Sequence, residues 1–180
     1  MKYVDVFDLI TTELRIANIP FVLIGGFAVN YYQATRMTAD VDILMTEKDF
    51  IEILPVLEQE GYKVDVKNDL FVRLSSRVSN WMDLDVIFVD RDTLAGMIKD
   101  GKEIEMQGKR IFVPSLEHLI ALKLHSLKHN QQGREYKDMG DILELIKRNR
   151  LDIHSDRFHE LCLKYGTEEL YRKIAEYIKT

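Results

Sequence analysis

Two short stretches, "ADVDILM" (39–45) and "WMDLDVIFV" (81–89), each set two aspartates on either side of one apolar residue. In a β-strand residues i and i+2 project to the same face with Cα atoms about 6.5–7 Å apart. Asp40 and Asp42 therefore point together, and so do Asp83 and Asp85, opposite the apolar row of Met82, Leu84, Val86 and Phe88. A wet sheet face accounts for either pair taken singly. Recurrence on two strands, with carboxylates that repel, points instead to a shared divalent cation. Magnesium takes oxygen ligands at about 2.0–2.1 Å and often only one or two carboxylates, the rest coming from water and phosphate.

The elements around these strands alternate. "YVDVFDLITTELRIA" carries Val4, Phe7, Ile10 and Leu14 at helical spacing, and "FVLI" reads as a short buried strand closed by Gly25 and Gly26. A helix from Phe27 to Tyr32 follows, then the strand "DVDILM", then a helix in "EKDFIEILPVLEQEGY" interrupted or kinked at Pro55 and stopped at Gly61. "YKVDV", "LFVRLSS" and "WMDLDVIFV" are strands, Asp92 to Ile98 a short helix, and "KEIEMQGKRIFV" a hairpin turning at Gln107-Gly108. After Pro114 the pattern becomes helical: "SLEHLIALKLHSLKH" with Ser115 as N-cap, a linker-like "HNQQGREY", "KDMGDILELIKRN", and two helices between Ser155 and Lys179. The fold class is α/β in the α+β sense: a mixed sheet with helices packed on it over residues 1–114, and a helical region over 115–180 that packs on that domain.

Composition excludes several settings. No apolar run reaches the roughly 20 residues of a membrane helix, and the acidic start "MKYVDVFDLI" is unlike a signal peptide. No membrane association and a cytoplasmic location are expected. The single cysteine, Cys162, sits in a pattern typical of a buried helix position. The net charge of −5 comes from an acid excess in residues 1–114, the remainder being near balance, so no broad basic face for long nucleic acid is present. A local basic contact to one RNA end is compatible with this.

Gly25-Gly26 at a strand-to-helix turn lets backbone approach a ligand closely and presents amide N–H groups to phosphate. Asp40 follows Gly26 by 14 residues. The stretch "LIGGFAVNYYQATRMTADVDIL" resembles the first motif of the polymerase-β-like nucleotidyltransferase superfamily. "WMDLDVIFV" is similar to the strand carrying its third carboxylate. "VPSLEHLIALKLHSLKHNQQGREYKDMGDILEL" looks like a segment with a helical lysine and a later K/R-D-x-x-D helix. The branch most resembled is the minimal bacterial and archaeal set that includes the abortive-infection type toxin nucleotidyltransferases, and the resemblance spans roughly Phe21 to Leu145.

The resemblance implies transfer of a nucleoside monophosphate from a nucleoside triphosphate to an acceptor hydroxyl or RNA end. It gives Asp40 and Asp42 to Mg²⁺ (or Mn²⁺) and makes Asp85 the third carboxylate, as metal ligand or base, with Asp83 as a substitute on the same face. Gly25 and Gly26 would hold the phosphates, Lys123 would contact the triphosphate with Asp138 beside it, and Arg36 and Thr38 fit an R-x-T lead into the acidic strand. Arg36 has the alternative of pairing with an acid, and Thr38 of capping the strand. The acceptor is open between a tRNA end, a protein hydroxyl and a small molecule, and a cognate antitoxin is an expected partner of the toxin branch.

Other features carry less. His125 and His129 have metal-ligand spacing on a helix but no further ligand accompanies them. Asp141 suits a supporting position or a wet helix face, and Trp81, Tyr31 and Tyr32 suit core packing better than base stacking. Two functions of other classes compete: a nucleotide-binding or toxin–antitoxin component without turnover, which needs no third carboxylate, and a sugar transferase. The latter also uses D-x-D with a metal, but its sheet is far larger and its D-x-D does not follow a GG turn at this distance.

Overall fold

The computed structural model describes residues 2–129 and 131–179, with backbone alone at 131–134 and 179. The chain divides into two compact units, one built from residues 1–28 and 37–115 and the other from 29–36 and 116–180.

The first unit opens with helix α1 (Val6–Ile16), capped by the Asp5 carboxylate accepting from the Asp8 amide. Its buried side is Phe7, Leu9, Ile10 and Leu14. Val4, expected on that face, precedes the cap and is exposed, because Asp5 ends the extended lead-in one residue after it. Strand β1 (Val22–Leu23) runs into α2 (Gly25–Tyr31), which starts at the first glycine rather than at Phe27. Strand β2 (Asp40–Met45) leads to α3 (Glu47–Gln59), capped by Thr46. The helix is continuous through Pro55, so of the two expectations there, interruption or kink, the interruption does not occur. Proline forfeits the bond to the carbonyl four residues earlier and crowds it, and that residue, Ile51, lies on the exposed side of the helix.

Strands β3 (Tyr62–Lys67), β4 (Phe71–Ser76) and β5 (Asp83–Phe88) complete a five-stranded sheet in the order β1-β2-β5-β4-β3. Only β2 and β5 are parallel; the other neighbours are antiparallel. Val41, Ile43, Leu74, Leu84 and Val86 are fully buried, together with Phe50 and Leu57 of α3. Helix α4 (Arg91–Asp100), capped by Asp90, extends beyond the expected Asp92–Ile98 at both ends. The hairpin β6 (Lys102–Met106) and β7 (Lys109–Val113) forms its own two-stranded sheet. Gln107 and Gly108 both take positive φ there, the geometry of a two-residue turn whose twist matches the strands.

The second unit consists of α5 (Leu116–His129), α6 (Gln131–Asn149), α7 (Asp156–Tyr165), α8 (Glu168–Lys179) and the segment 29–36. Leu119, Ile120, Leu124, Ile142, Leu145, Cys162 and Ile174 are buried. The stretch expected as a linker is helical from Gln131 onward, so α6 is longer than its apolar pattern indicates; Asn130 lies outside the described residues. The Asn149 amide donates to the Tyr32 carbonyl at 3.0 Å, tying the early segment to α6.

Burial, aided by the charge of Glu168, pushes the Cys162 thiol up to about 12. It is therefore a neutral packing group at physiological pH. An aromatic disulfide reagent at pH 8 is expected to leave the native protein unlabelled and to titrate one thiol per chain only once denaturant unfolds it.

Candidate active site

Pairing of β2 with β5 is parallel in the register Asp40↔Asp83 and Asp42↔Asp85, and β4 adds Arg73↔Asp85 from the other side. Residues in register on adjacent strands share a face about 4.8 Å apart. Asp42, Asp85 and Arg73 thus form one row across three strands, with Asp40 two residues along β2. One ligand oxygen from each of Asp40, Asp42 and Asp85 lies within 4.8 Å of the others. Asp85 is buried, and Asp40 and Asp42 are half-buried. Asp83 stays outside this cluster: its carboxylate accepts from the Ser76 amide at 3.0 Å.

Local chemistry holds each carboxylate. Gly25 has φ +61°, and a Cβ there would overlap the Asp42 carboxylate and come 2.7 Å from the Asp42 Cβ. Only glycine allows both the left-handed backbone and this approach. The Thr38 hydroxyl lies 3.0 Å from Asp40 Oδ1 and 3.1 Å from the Asp40 carbonyl. Gly26 is buried in α2. A tight cluster of three carboxylates with a bare glycine against it matches the donor set of a hard divalent cation, oxygen ligands throughout.

Arg73 was not foreseen from the sequence. Its Nε and Nη2 donate to the two oxygens of Asp85 at 2.9 and 2.6 Å, a fork on a carboxylate. This hydrogen bonding and the Asp85 charge raise the guanidinium above its ordinary value, with smaller contributions from Asp40 and Asp42. The signal was present in "LFVRLSS", where arginine interrupts an apolar alternation, but identifying its partner requires the β4–β5 register.

The remaining expected residues belong to the second unit. The Lys123 ammonium lies 3.0 Å from Asp138 and 2.5 Å from Asp141, with all three side chains under a tenth exposed. Ser126 donates to the other Asp138 oxygen at 2.8 Å, and Arg36 reaches Asp141 at 3.1 Å. Asp138 therefore stands beside Lys123, and Arg36 is paired with an acid. Asn30 brackets the Arg36 backbone, its side chain bonding both the Arg36 amide and carbonyl. His125 and His129 are exposed with rings 4.4 Å apart, and burial, ahead of the charges of His129 and Lys128, lowers the His125 pKa. The Trp81 indole donates to the Val4 carbonyl, and Tyr31 and Tyr32 pack edge to face.

Two substitutions test these local arguments. Gly25→Ala is expected to destabilise the fold by about 1–2 kcal/mol through backbone strain alone, and to displace Asp42; denaturant melts and a crystal structure of the variant check both. Lys123→Ala leaves two buried carboxylates without their shared cation, and a loss of about 3–5 kcal/mol is expected in urea unfolding.

Residues 2–180 match the family model described as an uncharacterised nucleotidyltransferase. No curated protein matches the sequence. Among solved structures, the antibiotic-resistance factor ANT(2'')-Ia is similar at TM-score 0.57 and 16% identity, covering 93% of this chain and 86% of its own. An antigenic nucleotidyltransferase-like protein from Paracoccidioides brasiliensis gives 0.57 at 15% identity, with 94% and 88% covered. The lincosamide antibiotic adenylyltransferase LnuA gives 0.54 at 18% identity, with 76% and 91% covered. The fold is that of the polymerase-β-like nucleotidyltransferases, and the chain belongs to the nucleotidyltransferase family whose model spans it from Lys2 to Thr180.

Proposed function

We propose that the protein transfers a nucleoside monophosphate from a nucleoside triphosphate to an acceptor hydroxyl or RNA end, using a divalent cation, Mg²⁺ or Mn²⁺, held by Asp40, Asp42 and Asp85. The observation that carries this reading is the convergence of those three carboxylates across β2 and β5, in a chain of a nucleotidyltransferase family. Bound there, the metal would supply charge stabilisation to the leaving pyrophosphate and activate the attacking oxygen.

The protein's own groups serve position. Thr38 orients the Asp40 carboxylate, and Gly25 admits Asp42 to the cluster. Gly25 presents bare backbone against Asp42, and the triphosphate is proposed to lie along it and Gly26. Asp85, fixed on a central strand, would receive the proton of the acceptor hydroxyl at a carboxylate oxygen. Catalysis of this kind rests on alignment and charge rather than on covalent chemistry. The network of Lys123, Asp138, Asp141 and Arg36 is read as a strut of the helical unit. The acceptor classes are a tRNA end, a protein hydroxyl or a small molecule, reached in the cytoplasm where nucleotide and Mg²⁺ are abundant.

The second reading is nucleotide binding without turnover, as in a toxin–antitoxin component with a cognate antitoxin. Arg73 favours it, because its fork engages both oxygens of the third carboxylate.

Incubation with each labelled nucleoside triphosphate and cell extract, separated into RNA, protein and small molecules, is expected to label one fraction with release of pyrophosphate. Asp42→Asn should abolish that labelling. Binding without pyrophosphate release would select the second reading. Metal that binds only the folded state raises its stability by RT ln(1 + [L]/Kd), so the parent should melt higher with millimolar Mg²⁺ and nucleotide. Metal-free Asp42→Asn, with one repelling charge removed, should be as stable as the parent or more so by about 1 kcal/mol, yet gain far less from metal. An identical metal response in the two proteins would rule out a metal site at these carboxylates.

A further inference from the structure

We propose that Arg73 is a built-in competitor for the metal: its guanidinium holds Asp85 in the metal-free protein and must disengage before Asp85 can serve as a ligand. The inference rests on the metal reading above and concerns how that site is loaded.

Three observations support it. The fork engages both Asp85 oxygens, at 2.9 and 2.6 Å, so any Asp85 oxygen offered to a cation already carries an N–H donor. The two partners differ in freedom: the Asp85 side chain is 6% exposed on a central strand, whereas that of Arg73 is 45% exposed. Rearrangement therefore falls to the arginine, whose long side chain can turn its head into water. Charge completes the case. The carboxylates draw the guanidinium in, with Asp40 and Asp42 adding to the pull of Asp85, and a divalent cation arriving among the same oxygens would repel it.

A site competent only when Arg73 has let go binds metal with an apparent affinity reduced by the fraction of time it is open. If that fraction is about a tenth, removing the guanidinium tightens metal binding by roughly tenfold. The opposing possibility is a supporting partner that orients a metal-ligating carboxylate; loss of such a partner weakens metal binding by about 10- to 100-fold. The two roles thus differ in sign.

Mn²⁺ alone, without nucleotide, is the probe, and its free concentration is followed by electron paramagnetic resonance on the full chain. Arg73→Ala is expected to bind Mn²⁺ roughly tenfold more tightly than the parent, Arg73→Gln similarly, and Arg73→Lys, which keeps the charge but not the fork, between the two. Should the alanine variant fail to fold, the glutamine and lysine variants carry the same comparison. In an Asp85→Asn background the Arg73→Ala change should no longer alter the affinity. In metal-free melts Arg73→Ala should fall below the parent and recover further on adding Mn²⁺. Unchanged or weaker binding in Arg73→Ala overturns the proposal, and so does a gain that persists in Asp85→Asn. Binding that disappears in Asp42→Asn but ignores Arg73 removes this inference and leaves the metal site standing; absence of Mn²⁺ binding from every protein, parent included, removes both.

Discussion

Parallel pairing of β2 with β5 is the constraint on which the site depends. It sets Asp42 beside Asp85 and, through the period of two along β2, brings Asp40 to the same place. Parallel neighbours require a crossover connection, and here α3, β3 and β4 fill the chain between them. The register is enforced from the other face. Val41, Ile43, Leu84 and Val86 are buried only in this alignment, and a slip of one residue would exchange them with the aspartates. Core packing thereby holds three like charges together against their repulsion.

The repulsion is met locally as well. Arg73, delivered by the antiparallel neighbour β4, supplies a positive charge to Asp85, and Gly25 supplies room instead of charge. Both are consequences of strand order. With β4 on one side of β5 and β2 on the other, an arginine at position 73 has Asp85 as its cross-strand partner. The acidic row is thus buffered by its neighbour in the sheet.

Much of the fold was legible because its signals are local. Alternation in "DVDILM" and "MDLDVIF", the Gln107-Gly108 turn and the helical pattern after Pro114 each state their element within a few residues. The strands announce which side chains share a face, so Asp40 with Asp42 and Asp83 with Asp85 could be anticipated, whereas the choice of Asp85 over Asp83 rested on the family resemblance. Three features could not. Arg73 gains meaning only through a register with a strand 12 residues away. Gly25 reads as a phosphate-turn glycine, whereas its backbone abuts a carboxylate from the next strand. "HNQQGREY" is polar on every side, and polarity alone does not separate a loop from a solvated stretch of helix, so the length of α6 was hidden.

Residues 29–36 count with the C-terminal helices although the chain on both sides of them counts with the sheet. The polypeptide consequently crosses between the units three times, and no single cut separates them. During synthesis, Tyr32 and Arg36 leave the ribosome long before α6 provides the Asn149 and Asp141 groups that hold them. The acidic strand begins only four residues after Arg36. Vectorial folding can assemble the sheet early, but the segment leading into it must wait for α6. A ribosome-bound nascent chain ending at Ser115 would therefore carry its carboxylates on a strand whose entry is not yet anchored.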